Sequence, residues 1–235
     1  MGGIVGSVFA VTAAHCFVDE RGEPISNREI HAQVGAPDYR ASRISTKVVR
    51  AYLPADYRKS DGGMAGMYDR ADIAVVRLAR NVVKLPNSHQ LKISPLPRSH
   101  VFGRYDTSLV AGYGRKRTDP THADSRLRYA MMKPVDDEIC GYNYLLGGDD
   151  TVFCAAITAA NAGASVCEGD DGTPYVQRSG ITGILSHVPA DCLGTSDAIF
   201  TKIGPYRQFI SRAMADDIDH TIKVVDFQYN YYALF

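Results

Sequence analysis

The stretch VTAAHC, residues 11–16, places a histidine and a cysteine directly after a run of β-forming residues at 4–11. Further β-forming runs recur along the chain, and turn-rich segments separate them. They lie at 47–53, 73–78, 108–110, 181–185 and 199–203. A helix is favoured only late in the chain, at 205–217, where Pro205 opens an apolar, helix-compatible stretch. The pattern predicts an all-β protein with one late helix.

Length and charge limit the classes of partner. The chain has 235 residues, enough for one large β domain or two small ones. Lys and Arg (26) balance Asp and Glu (26), so the formal net charge is zero. Nucleic-acid binding usually requires a basic face, and the Arg/Lys cluster at 115–117 is short, so we expect no nucleic-acid partner. The apolar N-terminal stretch is too short to span a bilayer, and we expect no membrane association.

Three stretches together resemble the trypsin/chymotrypsin-like serine protease family. They are VTAAHC at 11–16, DIAVVRL at 72–78 and CEGDDGTPYV at 167–176. The family hallmarks are TAAHC at the catalytic histidine, DIALxxL at the catalytic aspartate and GDSGGP at the nucleophile. AGYG at 111–114 and IFTKIGPYRQFI at 199–210 are weaker similarities. The resemblance covers most of residues 2–214.

This resemblance implies two antiparallel six-stranded β-barrels with the active site between them. We expect a protease-like domain at 1–214, divided into a first barrel (1–96), a second barrel (97–204) and a C-terminal helix (205–214). The first barrel should be N-terminally truncated, because the family's first strand would precede Met1. A truncated product without a stable fold is an alternative. A C-terminal extension follows at 215–235. Its tail at 224–235 has aromatic residues at Phe227, Tyr229, Tyr231 and Tyr232, which favour an added strand or docking segment as much as a loosely ordered terminus.

The five cysteines favour disulfides. No two form a C-x-x-C pair, which argues against a zinc ribbon, and their wide spacing suits an oxidising compartment with one cysteine left over. The resemblance implies the pairs Cys140–Cys154 and Cys167–Cys192. It leaves Cys16 unpaired, because Met1 stands where the partner cysteine would be. We therefore expect a secreted protein.

The resemblance also assigns catalytic roles. His15 would be the general base, Asp72 would orient it, and the N–H groups of Gly169 and Asp171 would form the oxyanion hole. The nucleophile position, normally serine, falls on Asp171. A carboxylate offers His15 no proton to remove and adds negative charge beside the oxyanion hole. We therefore expect a homologue without peptidase activity, unless Asp171 is an error in the sequence or the chemistry is unconventional, in which case an active endopeptidase remains.

The implied specificity pocket lacks the charge of a trypsin-like pocket. Its base falls on Ser165, and its walls fall on Val188, which would narrow it, and Ala198. Asp170 would match the aspartate that pairs with a freed N-terminus in active proteases.

The expected ligands are proteins or peptides in the cleft, namely proteases, inhibitors or substrates, and the role would be regulatory or that of a decoy. A metal site of His15, Asp72 and Asp171 has plausible ligands but matches no known metal-binding spacing, so we expect no metal and no cofactor.

Overall fold

The structure is a computed structural model. It describes residues 1–26, 28–42, 44–60, 68–85, 91–97, 107–116, 119–123, 125–144, 146, 148–158, 165–188, 192 and 196–227. These residues form two β layers and two short α-helices.

The first layer is an antiparallel sheet of six strands. They are β1 (Gly3–Gly6), β2 (Phe9–Thr12), β3 (His31–Val34), β4 (Ile44–Pro54), β5 (Ala74–Leu78) and β14 (Ile222–Asp226). The order is β1-β2-β5-β4-β14, and β3 also pairs with β4. Within the described residues no strand joins β1 to β3, so this layer is an open sheet rather than a six-stranded barrel.

The second layer is a closed antiparallel barrel. In order around the barrel its strands are β10 (Val152–Ile157), β13 (Ala198–Lys202), β12 (Gly180–His187), β11 (Pro174–Gln177), β6 (Ser108–Gly112) and β9 (Arg128–Pro134). Side chains alternate across the barrel wall, as the two-residue period of a strand requires. Val110 and Met132 are buried, whereas Leu109 and Tyr129 face outward. A separate hairpin joins β7 (Arg115–Lys116) to β8 (Asp119–Ala123).

Two helices lie outside the sheets. The late helix is α2 (Arg207–Met214), which a 3-10 turn at Gly204–Tyr206 precedes. It is shorter than the stretch 205–217 because Pro205 falls within that tighter turn. The other helix, α1 (Asp137–Tyr144), was not expected from the sequence.

The segment after α2 returns to the first sheet. Strand β14 pairs with β4, from Ile222 opposite Pro54 to Asp226 opposite Arg50. Phe227 follows it into the core of the first sheet, where its ring centroid lies 5.9 Å from that of Phe17. An added strand therefore forms at the start of the tail, and the aromatic residues from Tyr229 onward lie outside the described residues.

The two layers share a buried core. Val11 and Ile73 of the first layer pack in one cluster with Ile184 of the barrel and Ile210 of α2. The loops that follow β2 and precede β5 lie next to this shared core, since Ala13 and Ile73 belong to it. Among the described residues, no helix has both the length and the apolar character needed to cross a membrane.

Candidate active site

The ends of two paired strands bring His15 and Asp72 together. His15 lies in the 3-10 turn Ala14–Phe17 after β2, and Asp72 comes just before β5. Thr12 of β2 stands opposite Ala74 of β5, so the two segments meet at one edge of the sheet. The Asp72 carboxylate accepts the backbone N–H of His15 at 2.9 Å and lies 2.7 Å from its Nδ1.

Asp72 is fully buried, and the barrel layer completes its hydrogen bonding. The Ser186 hydroxyl donates to Asp72 Oδ2 at 2.5 Å, and the Thr201 hydroxyl donates to the Asp72 carbonyl at 3.0 Å. A buried carboxylate is costly unless donors surround it. This one has three donors to its side chain, so its geometry is fixed from both layers.

The imidazole of His15 holds a proton strongly. Burial opposes the charged form, but the charge and hydrogen bond of Asp72 outweigh it, with smaller contributions from Cys16, and raise the pKa of His15 to about 11. The rise comes from Asp72, and Asp171 is not among its principal causes. His15 is therefore an imidazolium through the neutral range, with Nδ1–H directed at Asp72.

Asp171 lies on the other side of the ring. Its Oδ1 is 3.8 Å from His15 Nε2, and its Oδ2 accepts the backbone N–H of Gly169 at 3.3 Å. The loop that carries it has left-handed backbone at Gly169 (φ +94°) and Gly172 (φ +78°), which favours glycine at both positions. The carboxylate is therefore held between the imidazolium and the Gly169 N–H.

The neighbouring Asp170 points the opposite way, into the barrel layer. Its carboxylate accepts the backbone N–H groups of Gly114 at 2.8 Å and Cys167 at 3.0 Å. Burial raises the pKa of Asp170 despite these two hydrogen bonds. A Cβ on Gly112 or Gly114 would meet its carboxylate oxygens at 1.8 Å and 2.5 Å, so the AGYG stretch is glycine-rich to make room for Asp170.

The residues expected to line the pocket carry no charge. Ala198 is fully buried in the barrel core, where Val188 packs against the same cluster as Val166. The hydroxyl of Ser165 donates to the Val166 carbonyl at 2.7 Å. Val188 and Ala198 therefore lie near Val166, the residue that follows Ser165. None of the three expected pocket side chains carries a charge that could neutralise a basic ligand side chain.

Two cleft residues had no expected role. His187 follows Ser186 and packs edge-on against Tyr144, with ring centroids 6.0 Å apart. Burial lowers the pKa of His187, against smaller opposing effects of Asp171 and Asp69, and so favours its neutral form. Asp69 accepts the Tyr57 hydroxyl and the Ser60 N–H, each at 2.8 Å. His187 lies in the stretch SHV at 186–188, which resembles the family's pocket-wall stretch SWG. Asp69 belongs to no hallmark motif, and only the fold brings it to the cleft.

The side chains that could bind a metal ion differ from the set considered from the sequence, which was His15, Asp72 and Asp171. In the described part of the chain, the possible ligand atoms of His15, Asp69 and Asp72 lie within 4.8 Å of one another, and Asp171 is not among them. Internal hydrogen bonds compete for two of these residues, since His15 Nδ1 and the Ser186 hydroxyl both bond to Asp72.

Four of the five cysteines are bonded, in the two pairs named from the sequence. The Sγ atoms of Cys140 and Cys154 are joined, as are those of Cys167 and Cys192. The second bridge anchors the start of the loop that carries Asp170 and Asp171. Cys16 has a free thiol and is half-buried.

Comparison with known proteins gives consistent matches. The family model described as trypsin matches residues 1–210. Mouse granzyme E is 26% identical over 216 residues, which are 91% of this chain and 78% of that protein. The structure of neuropsin, a serine protease of mouse brain, has a TM-score of 0.73 at 21% identity and covers 91% of this chain and 87% of its own.

A second solved structure has the same fold. The scabies mite inactivated protease paralogue has a TM-score of 0.72 at 22% identity, and the match covers 93% of this chain and 88% of that one.

Proposed function

Because this chain belongs to the trypsin family of serine proteases, we propose that it is a catalytically inactive member whose cleft binds a protein or peptide without cleaving it. Its role would be that of a regulator or decoy for proteases, inhibitors or substrates. The two disulfides suit an extracellular setting.

The observation that carries this proposal is the carboxylate of Asp171 beside His15. The loop CEGDDGTP at 167–174 resembles the family's GDSGGP, and this resemblance supports Asp171 as the residue at the position of the nucleophilic serine. Its Oδ1 lies 3.8 Å from His15 Nε2, the atom that would take the serine proton.

A carboxylate at this position disfavours acyl transfer for three reasons. It has no proton for His15 to remove, so the activation step is lost. Its Oδ2 occupies the Gly169 N–H, which would be an oxyanion-hole donor. Its charge would also oppose the developing oxyanion, which requires donors without a competing anion. Loss of one triad member alone costs on the order of a thousandfold or more in rate.

A binding role is supported by what remains intact. The His15–Asp72–Ser186 hydrogen bonds and the shared core hold the two layers together around His15. The fold is also that of a protein described as an inactivated protease paralogue. The alternative, an active serine-type endopeptidase, is favoured only by the intact His15–Asp72 pair.

The proposal is tested by labelling the protein with a serine-directed fluorophosphonate and by incubating it with a protease-substrate peptide library. We expect neither labelling nor cleavage. Asp171→Ser should restore little activity, because Val188 still narrows the pocket and Thr173 replaces a glycine of the motif. Robust labelling of the native chain, or cleavage that His15→Ala abolishes, would establish the endopeptidase instead.

A further inference from the structure

The C-terminal extension contributes an aromatic side chain to the core of the first sheet. Strand β14 lies beyond residues 1–210, which the trypsin family model matches, and it pairs with residues 50–54 of β4. The backbone pairing continues one residue further, where the Phe227 N–H donates to the Val49 carbonyl at 3.1 Å. The side chain of Phe227 is buried there. A segment outside the matched part of the chain therefore supplies part of this core.

Phe227 packs against the 3-10 turn that carries His15. Its ring centroid lies 5.9 Å from that of Phe17 with the planes at 53°, a favourable arrangement for an aromatic pair. Phe17 is buried and is the last residue of that turn, two positions after His15. Val225 of β14 belongs to the same core cluster as Ala14, the first residue of the turn. The extension therefore packs in one cluster with both ends of the turn.

The turn has little hydrogen bonding within itself. The bond that closes it, from the Val18 N–H to the His15 carbonyl, is long at 3.5 Å, and 3-10 hydrogen bonds are poorly aligned in general. Its other backbone bonds run outward, from His15 to Asp72 and from Ile25 to Phe17. The place of the turn on the sheet therefore depends on the packing of its buried side chains.

The segment that carries Asp72 depends on the same core. Ala71, directly before it, has left-handed backbone (φ +53°), which a residue with a Cβ rarely adopts. Such a conformation persists only where the surrounding structure determines it. Ala71 is buried in the core cluster that contains Phe17 and Phe227. One cluster therefore supports both partners of the 2.7 Å contact between His15 Nδ1 and Asp72.

We propose that Phe227 is a positioning residue for His15, acting through Phe17, so that the C-terminal extension sets the geometry of the candidate active site. Side chains of a site keep a precise geometry only where packing of their neighbours locks them. Without the Phe227 ring, the turn relaxes into the space left behind. This lengthens the contact of His15 Nδ1 with Asp72 and changes the 3.8 Å separation of Nε2 from Asp171. The role holds whether or not the cleft cleaves its ligand.

Nuclear magnetic resonance of the full chain tests this role at His15 itself. The ring signals of His15 are compared at pH 7 between the native protein and Phe227→Ala, both labelled with ¹⁵N. The Nδ1–H proton of an imidazole bonded to a carboxylate resonates far downfield of the amide protons. We expect this signal to move upfield in Phe227→Ala, because the bond to Asp72 lengthens. The exposed His31 serves as an internal reference that should not move.

Two further variants separate positioning from a general loss of stability. Met132→Ala truncates a buried side chain in the separate core of the barrel and belongs to the same class of large-to-small substitutions. It should leave the His15 signals of the folded protein unchanged. Phe227→Leu keeps an apolar side chain and should give a smaller shift in the same direction as Phe227→Ala. It also provides the test if Phe227→Ala does not fold.

A double variant tests whether the effect passes through Phe17. Residues that act through one contact have non-additive effects. Phe17→Leu should shift the His15 signals, and adding Phe227→Leu to it should move them little further. Unchanged His15 signals in every Phe227 variant that folds, or equal shifts in Met132→Ala, would overturn the positioning role. Additive shifts in the double variant would overturn the route through Phe17.

Discussion

The proton on His15 links the site to the stability of the fold. A histidine in an unfolded chain has a pKa near 6.5. In the folded protein burial lowers the pKa of His15, but the charge and hydrogen bond of Asp72 together outweigh burial and raise it to about 11. A raised pKa contributes stability that is fully present below pH 6.5 and is lost as pH rises toward 11. His15→Asn should therefore cost more unfolding free energy at pH 6 than at pH 10.

Urea unfolding of both proteins at pH 6, 8 and 10 measures that difference. His31→Gln is the matched control, because His31 forms only an exposed pair with Glu29 and should change stability by less than about 0.5 kcal/mol. A cost of His15→Asn that does not vary between pH 6 and pH 10 would contradict the charge pairing with Asp72.

The close packing of the Asp170 carboxylate against Gly112 and Gly114 gives a second prediction. A Cβ on Gly112 would stand 1.8 Å from Asp170 Oδ1, and that oxygen cannot move freely because the Gly114 N–H holds it. Gly112→Ala should therefore destabilise the protein by about 1–3 kcal/mol in thermal or urea unfolding. Gly141→Ala, in helix α1 with nothing within 4 Å of the new Cβ, should be neutral or stabilise by up to about 1 kcal/mol. Equal effects would show that Asp170 does not fill the space beside Gly112.

Among the elements, strand β14 lies beyond residues 1–210, the part of the chain that the trypsin family model matches. Arg50 of β4 fixes it, since Arg50 Nε lies 2.6 Å from Asp226 while its NH1 group lies 3.0 Å from Asp216 after α2. Phe227 then buries its ring against Phe17. Phe227→Ala should cost about 3 kcal/mol of unfolding free energy, as other buried aromatic truncations do. Lys223→Ala on the exposed face of β14 serves as the control, and a cost for Phe227→Ala no larger than for Lys223→Ala would mean that the segment does not dock.

Local pattern predicts only some of the elements, for a physical reason. The runs at 47–53, 73–78, 181–185 and 199–203 overlap β4, β5, β12 and β13, which are buried and rich in branched residues. The run at 4–11 is split by a turn at Ser7 and Val8 into the hairpin β1–β2. Strands β3 and β9 carry more polar residues, and their pairing depends on partners elsewhere in the chain. Helix α1 has almost no amphipathic pattern for sequence analysis to detect.

For the whole molecule, motif resemblance predicts more than periodicity does. Asp72 and Asp171 lie 57 and 156 positions after His15 (72 − 15 and 171 − 15), and only the family pattern relates them before the fold is known. The same pattern says nothing of Asp69, whose place in the cleft depends on the loop before β5. It also implies two barrels, whereas the described first layer is an open sheet whose sixth strand is β14.

The layers are also joined at a distance from their shared core. Residues 36–39, which follow β3 of the first layer, contact Tyr113, which follows β6 of the barrel. The Tyr113 hydroxyl donates to the Ala36 carbonyl at 2.5 Å. Its ring packs edge-on against Tyr39, with ring centroids 5.5 Å apart. The Leu127 N–H donates to the Pro37 carbonyl beside them. Tyr113 stands between the two glycines that accommodate Asp170, so this contact also supports the loop of the site.

Removing one hydroxyl tests this junction between the layers. Tyr113→Phe keeps the ring and should lower the unfolding free energy by about 1 kcal/mol, the net value of one hydrogen bond. Tyr129→Phe removes a hydroxyl from a side chain on the outer barrel face that is 70% exposed, and should change it by less than about 0.5 kcal/mol. Urea unfolding measures both variants. If Tyr113→Phe changes the unfolding free energy no more than Tyr129→Phe does, the hydroxyl contact adds nothing to the coupling between the layers, and the other contacts between them must supply it.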